Sequence, residues 1–274
     1  MNVLEVDKRY KALFDGIGLS DFEAFMTTSA GDTIASESLR ETRKLDIEGH
    51  TFFLKRVKKA KFSSAVEAVL QGRRPHSYAW REMQHVEQLQ LAGIPVMTVA
   101  AVGERHYLGL PKEGFIVVVG IEGDDLELVF RSSNDTGKSI IMRQLGALNA
   151  QLHVHGFLKP IRLKDLIITP SQKLVLIDRE TRNPFPRRFS QERALQSLIK
   201  AGQRQHRDGV KYSEADNLVM LKAYYQGCSQ LWPAVTSRMF NHLYNIAKVS
   251  TYYDQATKSG YCHWWRHRYW QCNL

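Results

Sequence analysis

Lys55, Glu82 and Asp178 are the residues whose types and settings could do chemistry together. Lys55 sits inside TFFLKRV (Thr51–Val57), whose β-branched and aromatic content predicts a strand. Glu82 sits in SYAWREMQHVEQLQLAG, where Ser77 suits a helix N-cap and Gly93 the left-handed position past its end. Glu82, Val86 and Leu89 follow Ala79 by three, seven and ten residues, so the carboxylate shares the apolar face of that helix. A carboxylate on a buried stripe is costly unless a cation meets it, and Lys55 is the natural candidate. Asp178 closes the short apolar strand KLVLID. A carboxylate at such a strand end suits Mg²⁺ on phosphate, because the hard cation takes oxygen ligands. Plainer readings stand beside these: ordinary exposed charges for Lys55 and Glu82, a turn-forming residue for Asp178. The succession of Lys, Glu and Asp over strand, helix and strand is more informative than any one of them.

The elements that must position these groups can be read along the chain. TFFLKRV follows a turn at Glu48–Gly49, and KFSSAVEAVLQG predicts a short helix stopped by Gly72. IPVMTVAAVGER and EGFIVVVGIEG predict two glycine-bounded strands, and helix returns at SIIMRQLGALNAQLHVHG. From about Gln191 the chain reads as mostly helical. Strands first and helices later predict an α+β protein of two lobes, with a border near Ile121–Asp125.

Composition bounds the function. With 274 residues, 43% of them hydrophobic, the chain is long enough for a sizeable core. The excess of 38 Lys and Arg over 28 Asp and Glu, a formal charge of +10, favours an anionic partner: nucleic acid, an anionic membrane face or a phosphorylated substrate. Three cysteines imply no disulfide framework and a reducing compartment. The first residues lack the apolar core of a signal peptide, and runs such as FIVVVGI are too short to span a bilayer, so a cytosolic location is expected.

A lysine on a strand paired with a glutamate on the next long helix holds nucleotide phosphates in protein kinases. More particularly, the sequence resembles the bacterial lipopolysaccharide core sugar kinases, the heptose and Kdo kinases. The resemblance runs through RETRKLDIEGHTFFLKRVKK, VLQGRRPHSYAWREMQHVEQLQLAGIPV with its Arg81–Glu82 pair, LHVHGF, LVLIDRE and YSEADNLVMLKAYYQG. It implies a two-lobed protein-kinase-like fold, with a small β-rich N-lobe (1–121) and a larger helical C-lobe (122–274). It implies ATP and Mg²⁺, with Lys55 and Glu82 at the nucleotide and Asp178 at the metal. The implied acceptor is a lipopolysaccharide core oligosaccharide or a lipid-linked sugar at the cytoplasmic face of the inner membrane.

The chain departs from that family in its catalytic loop. The family reads His-x-Asp there, with Asn or His five residues after the Asp. Counting from His155–Gly156–Phe157 places Lys159, Pro160 and Ile161 on the His-x-Asp positions and Leu166 on the second metal-ligand position. Isoleucine can neither accept a proton nor orient a hydroxyl, and leucine cannot bind Mg²⁺. Two accounts compete. The chain is a nucleotide-binding pseudokinase that scaffolds core assembly, or a neighbour such as Asp165 substitutes as the base. TTSAGDTIASES, with Gly31 alone, is a weak phosphate-covering loop, and the adenine hinge is expected near Gly120–Gly123.

Two basic stretches, KRVKKAK (Lys55–Lys61) and RNPFPRR (Arg182–Arg188), could meet anionic headgroups or core phosphates, although a solvated face is the plainer reading of either. The second gains weight by following Asp178, and Arg187 and Arg188 could clamp a phosphate or a Kdo carboxylate. The tail GYCHWWRHRYWQC reads first as a C-terminal helix packed on the larger lobe. A membrane anchor through Trp264, Trp265, Tyr269 and Trp270, a zinc set of Cys262, His263, His267 and Cys272, and base stacking are weaker readings, and nothing else in the chain supports a nucleic-acid partner.

Overall fold

The structure, a computed structural model, describes residues 1–59, 62–70 and 72–231. The tail from Gly260 therefore lies outside the described residues, as do Ala60 and Lys61 of the first basic stretch. The elements follow in the order β1 (Asn2–Val6), α1 (Lys11–Gly16), α2 (Phe22–Thr27), β2 (Asp32–Glu37), β3 (Arg40–Ile47), β4 (His50–Val57), α3 (Phe62–Leu70), α4 (Tyr78–Leu91), β5 (Val99–Tyr107), β6 (Leu110–Val119), β7 (Asp124–Asp125), α5 (Leu126–Ser132), α6 (Asp135–Val154), a 3₁₀ turn (Leu163–Asp165), β8 (Leu166–Ile168), β9 (Leu174–Leu176), α7 (Gln191–Arg207) and α8 (Glu214–Leu231). Contacts divide the described chain into two compact units: Met1–Asp124 with Ile167–Phe185, and Asp125–Leu166 with the described residues from Pro186 onward.

The first unit is built on a six-stranded sheet in the order β1-β5-β6-β4-β3-β2, whose pairings are antiparallel. Its tight hairpins turn at Glu48–Gly49 and Leu108–Gly109, where both residues of each pair have positive φ, the geometry that matches strand twist. Period-two alternation splits the sheet residues between two cores. Phe52 and Leu54 of β4, with Phe115 and Val117 of β6, pack against Phe14, Phe22 and Phe25 of the α1–α2 region. On the opposite face, Phe53, Ile116 and Val118 pack against Ala79, Trp80, Met83 and Val86 of α4. Lys55 alternates with Leu54 and Arg56, so it shares the face that α4 covers.

In the second unit α6 and α8 pack closely because small residues face each other. A Cβ on Gly146 would come within 2.2 Å of the Met220 carbonyl oxygen, and one on Gly227 within 2.6 Å of the Ala150 Cβ. Leu145, Leu148, Leu152, Leu221 and Tyr224 are buried on these helices.

The mixed α+β class is as the sequence predicts. The sheet is larger than the predicted strands suggest, because β1 and β2 come from the first 37 residues, where short polar and apolar pieces alternate without a clear period. α5 also goes unread, being a single seven-residue piece capped by Asp125.

Candidate nucleotide site

Lys55 Nζ lies 3.3 Å from Glu82 Oε1 and 3.1 Å from Asp178 Oδ1. All three residues belong to the first unit. β4 places the lysine: it is an interior strand of the sheet, and Lys55 lies opposite Thr42 of β3 and Ile116 of β6. Burial works against charge on the ammonium, yet Glu82 and Asp178 outweigh it and hold Lys55 above the usual lysine range. The two carboxylates differ in exposure. The Glu82 side chain is 6% exposed and that of Asp178 is 58% exposed.

α4 brings Glu82 to the lysine. Its start is set by Ser77, whose hydroxyl accepts from the Trp80 backbone N–H at 3.2 Å. Gly93 at φ 69° ends it, as the sequence predicts. Glu104 of β5 reinforces that start. It is buried, accepts from the Ser77 backbone N–H at 2.8 Å, and lies 2.8 Å from both His76 Nδ1 and His106 Nε2. Burial alone would raise its pKa; the hydrogen bonds from His76 and Ser77 outweigh that and leave it lowered.

β9 brings Asp178. The Leu176 N–H donates to the Pro95 carbonyl, and the Met97 N–H donates to the Leu176 carbonyl, at 3.0 and 2.9 Å. The Gly93–Ile94–Pro95 sequence after α4 is thus the seat of the strand that leads to Asp178. Asp178 itself has φ 52°, a left-handed conformation that Asp tolerates better than most side chains. The next side chain, Arg179, is fully buried.

Residues 180–185 then run beside α4. Arg40 pairs with Glu180 through two bonds of 2.9 Å, Arg73 Nη1 donates to Asn183 Oδ1 at 3.0 Å, and the buried His85 Nδ1 lies 2.8 Å from the Pro184 carbonyl oxygen. Sequence reading misses Arg40, Arg73, His85 and Glu104, which fix the surroundings rather than carry charge to the site. The one available signal is Glu104-x-His106, an alternation that puts both side chains on one face of β5.

The segment expected to cover phosphates is held firmly from behind. Arg43 donates to the carbonyls of Ser29, Ala30 and Gly31, and a Cβ on Gly31 would fall 2.0 Å from the Lys44 carbonyl oxygen. The basic stretch from Lys55 is not a continuous charged face. Arg56 is buried on the α1–α2 side, donating to the carbonyls of Phe25 and Thr28 and pairing with Glu41. Where the adenine hinge is expected, the Gly120 N–H donates to the Thr51 carbonyl at 2.7 Å.

The loop residues lie in the second unit. Ile161 is 3% exposed and Leu166 is fully buried, so both serve the hydrophobic interior. Asp165 is also buried. It accepts from the Arg162 backbone N–H at 3.0 Å and from the Arg162 guanidinium at 2.7 and 3.2 Å. Arg162 further lies 3.6 Å from Asp208, which Lys164 meets at 3.0 Å. Arg187 and Arg188 are exposed, and the Arg187 backbone N–H donates to the Gly156 carbonyl at 3.0 Å.

A six-stranded sheet bearing a lysine that is ion-paired to a helix glutamate and to an aspartate past a later strand defines a chain of the protein-kinase-like class. The model of the lipopolysaccharide kinase (Kdo/WaaP) family matches residues 42–224, and the chain belongs to that family. Among solved structures, WaaP in complex with acyl carrier protein is similar at 18% identity and a TM-score of 0.60, over 89% of this chain and 99% of that one. The bifunctional kinase-methyltransferase WbdD is similar at 15% identity and a TM-score of 0.40, over 76% of this chain and 42% of that one. No curated protein gives a significant match. Among the described residues, no helix is long and apolar enough to cross a membrane.

Proposed function

We propose that this chain binds ATP with Mg²⁺ through Lys55, Glu82 and Asp178 and phosphorylates a sugar of the lipopolysaccharide inner core. The observation that carries this reading is the Lys55 ammonium held between a buried and an exposed carboxylate. The donors suit the ligands. Lys55 keeps its charge against burial and so can meet phosphate oxygens, while Asp178 offers the oxygen donors that Mg²⁺ prefers. Bound Mg²⁺ would neutralise charge on the transferring phosphate. Glu82 holds Lys55 in place and keeps it protonated. With Ile161 at the base position, transfer rests on positioning and electrostatics, and Asp165 can act as the base only where Arg162 releases it. Arg187 and Arg188 are assigned to the acceptor, and the protein works at the cytoplasmic face of the inner membrane.

The second reading is a nucleotide-binding scaffold of core assembly without transfer. The burial of Ile161 and Leu166 and the pairing of Asp165 with Arg162 favour it. Incubation with γ-labelled ATP, Mg²⁺ and dephosphorylated lipopolysaccharide core separates the two. Label in the core with the wild type, and none with Asp178→Ala, supports the kinase. ATP binding without label supports the scaffold.

A further inference from the structure

Beside α4 lies a cavity of about 230 Å³ whose lining is strongly cationic. Arg73, Arg74, Arg81, Arg182 and His76 line it, with Phe185 as an apolar wall, and the described lining residues include no carboxylate. Arg81 is 7% exposed, and its guanidinium lies 4.5 Å over the Tyr78 ring. Its buried Nε has no hydrogen-bond partner among the described residues. Burial, with Arg73 adding like-charge repulsion, lowers the Arg81 pKa against the weaker help of Tyr78 and Glu180. Glu180 is itself bound to Arg40 through both oxygens. Several guanidiniums line one concavity, and the buried Arg81 Nε donor is unmet among the described residues, an arrangement that suits an anion.

We propose that this cavity is an anion subsite for a phosphate monoester carried by the sugar acceptor. Guanidinium forks match phosphate oxygens, and the volume is below the range of roughly 300–1,000 Å³ usual for larger ligands, so it fits a phosphate with part of its sugar. The walls are chain neighbours of the ion-paired residues: Arg81 precedes Glu82, and Arg182 and Phe185 lie shortly after Asp178. The assignment of the anion to an acceptor rests on the kinase reading; the binding of the anion does not.

The test is calorimetric titration of the whole chain, without ATP, with inorganic phosphate, mannose 6-phosphate and mannose. Mannose 6-phosphate should bind more tightly than inorganic phosphate, and mannose should not bind. Arg81→Ala should weaken binding by about tenfold or more, the loss of one charged hydrogen-bond donor. Because Arg81 is buried, the exposed pair Arg74→Glu with Arg182→Glu is the second variant, and it should abolish binding while the protein stays folded. Lys55→Ala should leave the arginine-dependent part of the binding in place. Loss of binding in Lys55→Ala with retention in the exposed pair would put phosphate at the nucleotide site and overturn the proposal. Absence of binding up to about 50 mM phosphate sugar would overturn it equally. Inorganic phosphate binding as tightly as the phosphate sugar would remove the sugar from it. Intact arginine-dependent binding in a protein that transfers no label would refute the kinase reading alone.

Discussion

Lys55 Nζ and Glu82 Oε1 meet at 3.3 Å although 27 residues separate them in the chain. Two independent pieces of local structure make that contact: the alternation of β4, which turns Lys55 toward α4, and the helical spacing that puts Glu82 beside Ala79 and Val86. Removing Glu82 takes away the buried carboxylate and leaves Lys55 with the exposed Asp178.

That asymmetry predicts the ranking of two stability losses. Glu82→Ala removes the buried partner of a cation that is itself only 26% exposed and should cost about 2–3 kcal/mol. Asp178→Ala removes the exposed partner and should cost about 1 kcal/mol or less. Urea denaturation measures both. Equal losses would show that Glu82 is not the structural member of the pair.

The catalytic-loop position should resist simple repair. Ile161 is packed in the interior, so Ile161→Asp buries a carboxylate among apolar groups. We expect a lowered melting temperature and no gain of phosphoryl transfer, with or without Leu166→Asn. A stable double variant that transfers phosphate would mean that residue 161 reaches the reacting groups after all.

Here the sequence and the structure part company in an instructive way. Lys55, Glu82 and Asp178 are legible because their signals are local: a strand period, a helix period and a strand end. The capping of α4 by Ser77 and its stop at Gly93 are legible for the same reason. Counting residues from Gly156 finds that Ile161 stands where a base is expected, but does not reveal that Arg162 holds Asp165. Nor does a run such as KRVKKAK disclose that Arg56 points to the opposite face and holds the carbonyls after α2, since that follows from tertiary packing. The run of residues 180–185 beside α4 depends on Arg40, Arg73 and His85, three partners scattered over 45 residues.

Acid sensitivity should trace to His153. It is fully buried, its Nδ1 lies 3.0 Å from the Tyr224 hydroxyl, and burial pushes its pKa down to about 3. The folded protein therefore holds the neutral ring while the unfolded chain takes up a proton below about 6.5. Stability from this group is complete above that value and is lost as the pH falls from there toward 3. The loss between pH 7 and pH 5 should be about 2 kcal/mol. His153→Gln should flatten the dependence by that amount, and an unchanged slope would exclude His153 as its source.

The close approach of α6 and α8 predicts intolerance at Gly146. Alanine favours the helix by about 1 kcal/mol, but its Cβ would meet a backbone carbonyl that cannot swing aside. Gly146→Ala should therefore destabilise by about 2 kcal/mol net. Stabilisation, read by thermal denaturation, would show that the two helices can separate at no cost.

The nucleotide site is tested most directly by melting the protein with and without ATP and Mg²⁺. With ligand about 100-fold above its dissociation constant, the wild type should gain about 2.7 kcal/mol of stability. The gain should vanish in Lys55→Ala and Asp178→Ala, each of which must first be shown to be folded. A wild type that gains nothing at millimolar ATP, or an equal gain in both variants, would contradict the assignment of Lys55, Glu82 and Asp178 to ATP.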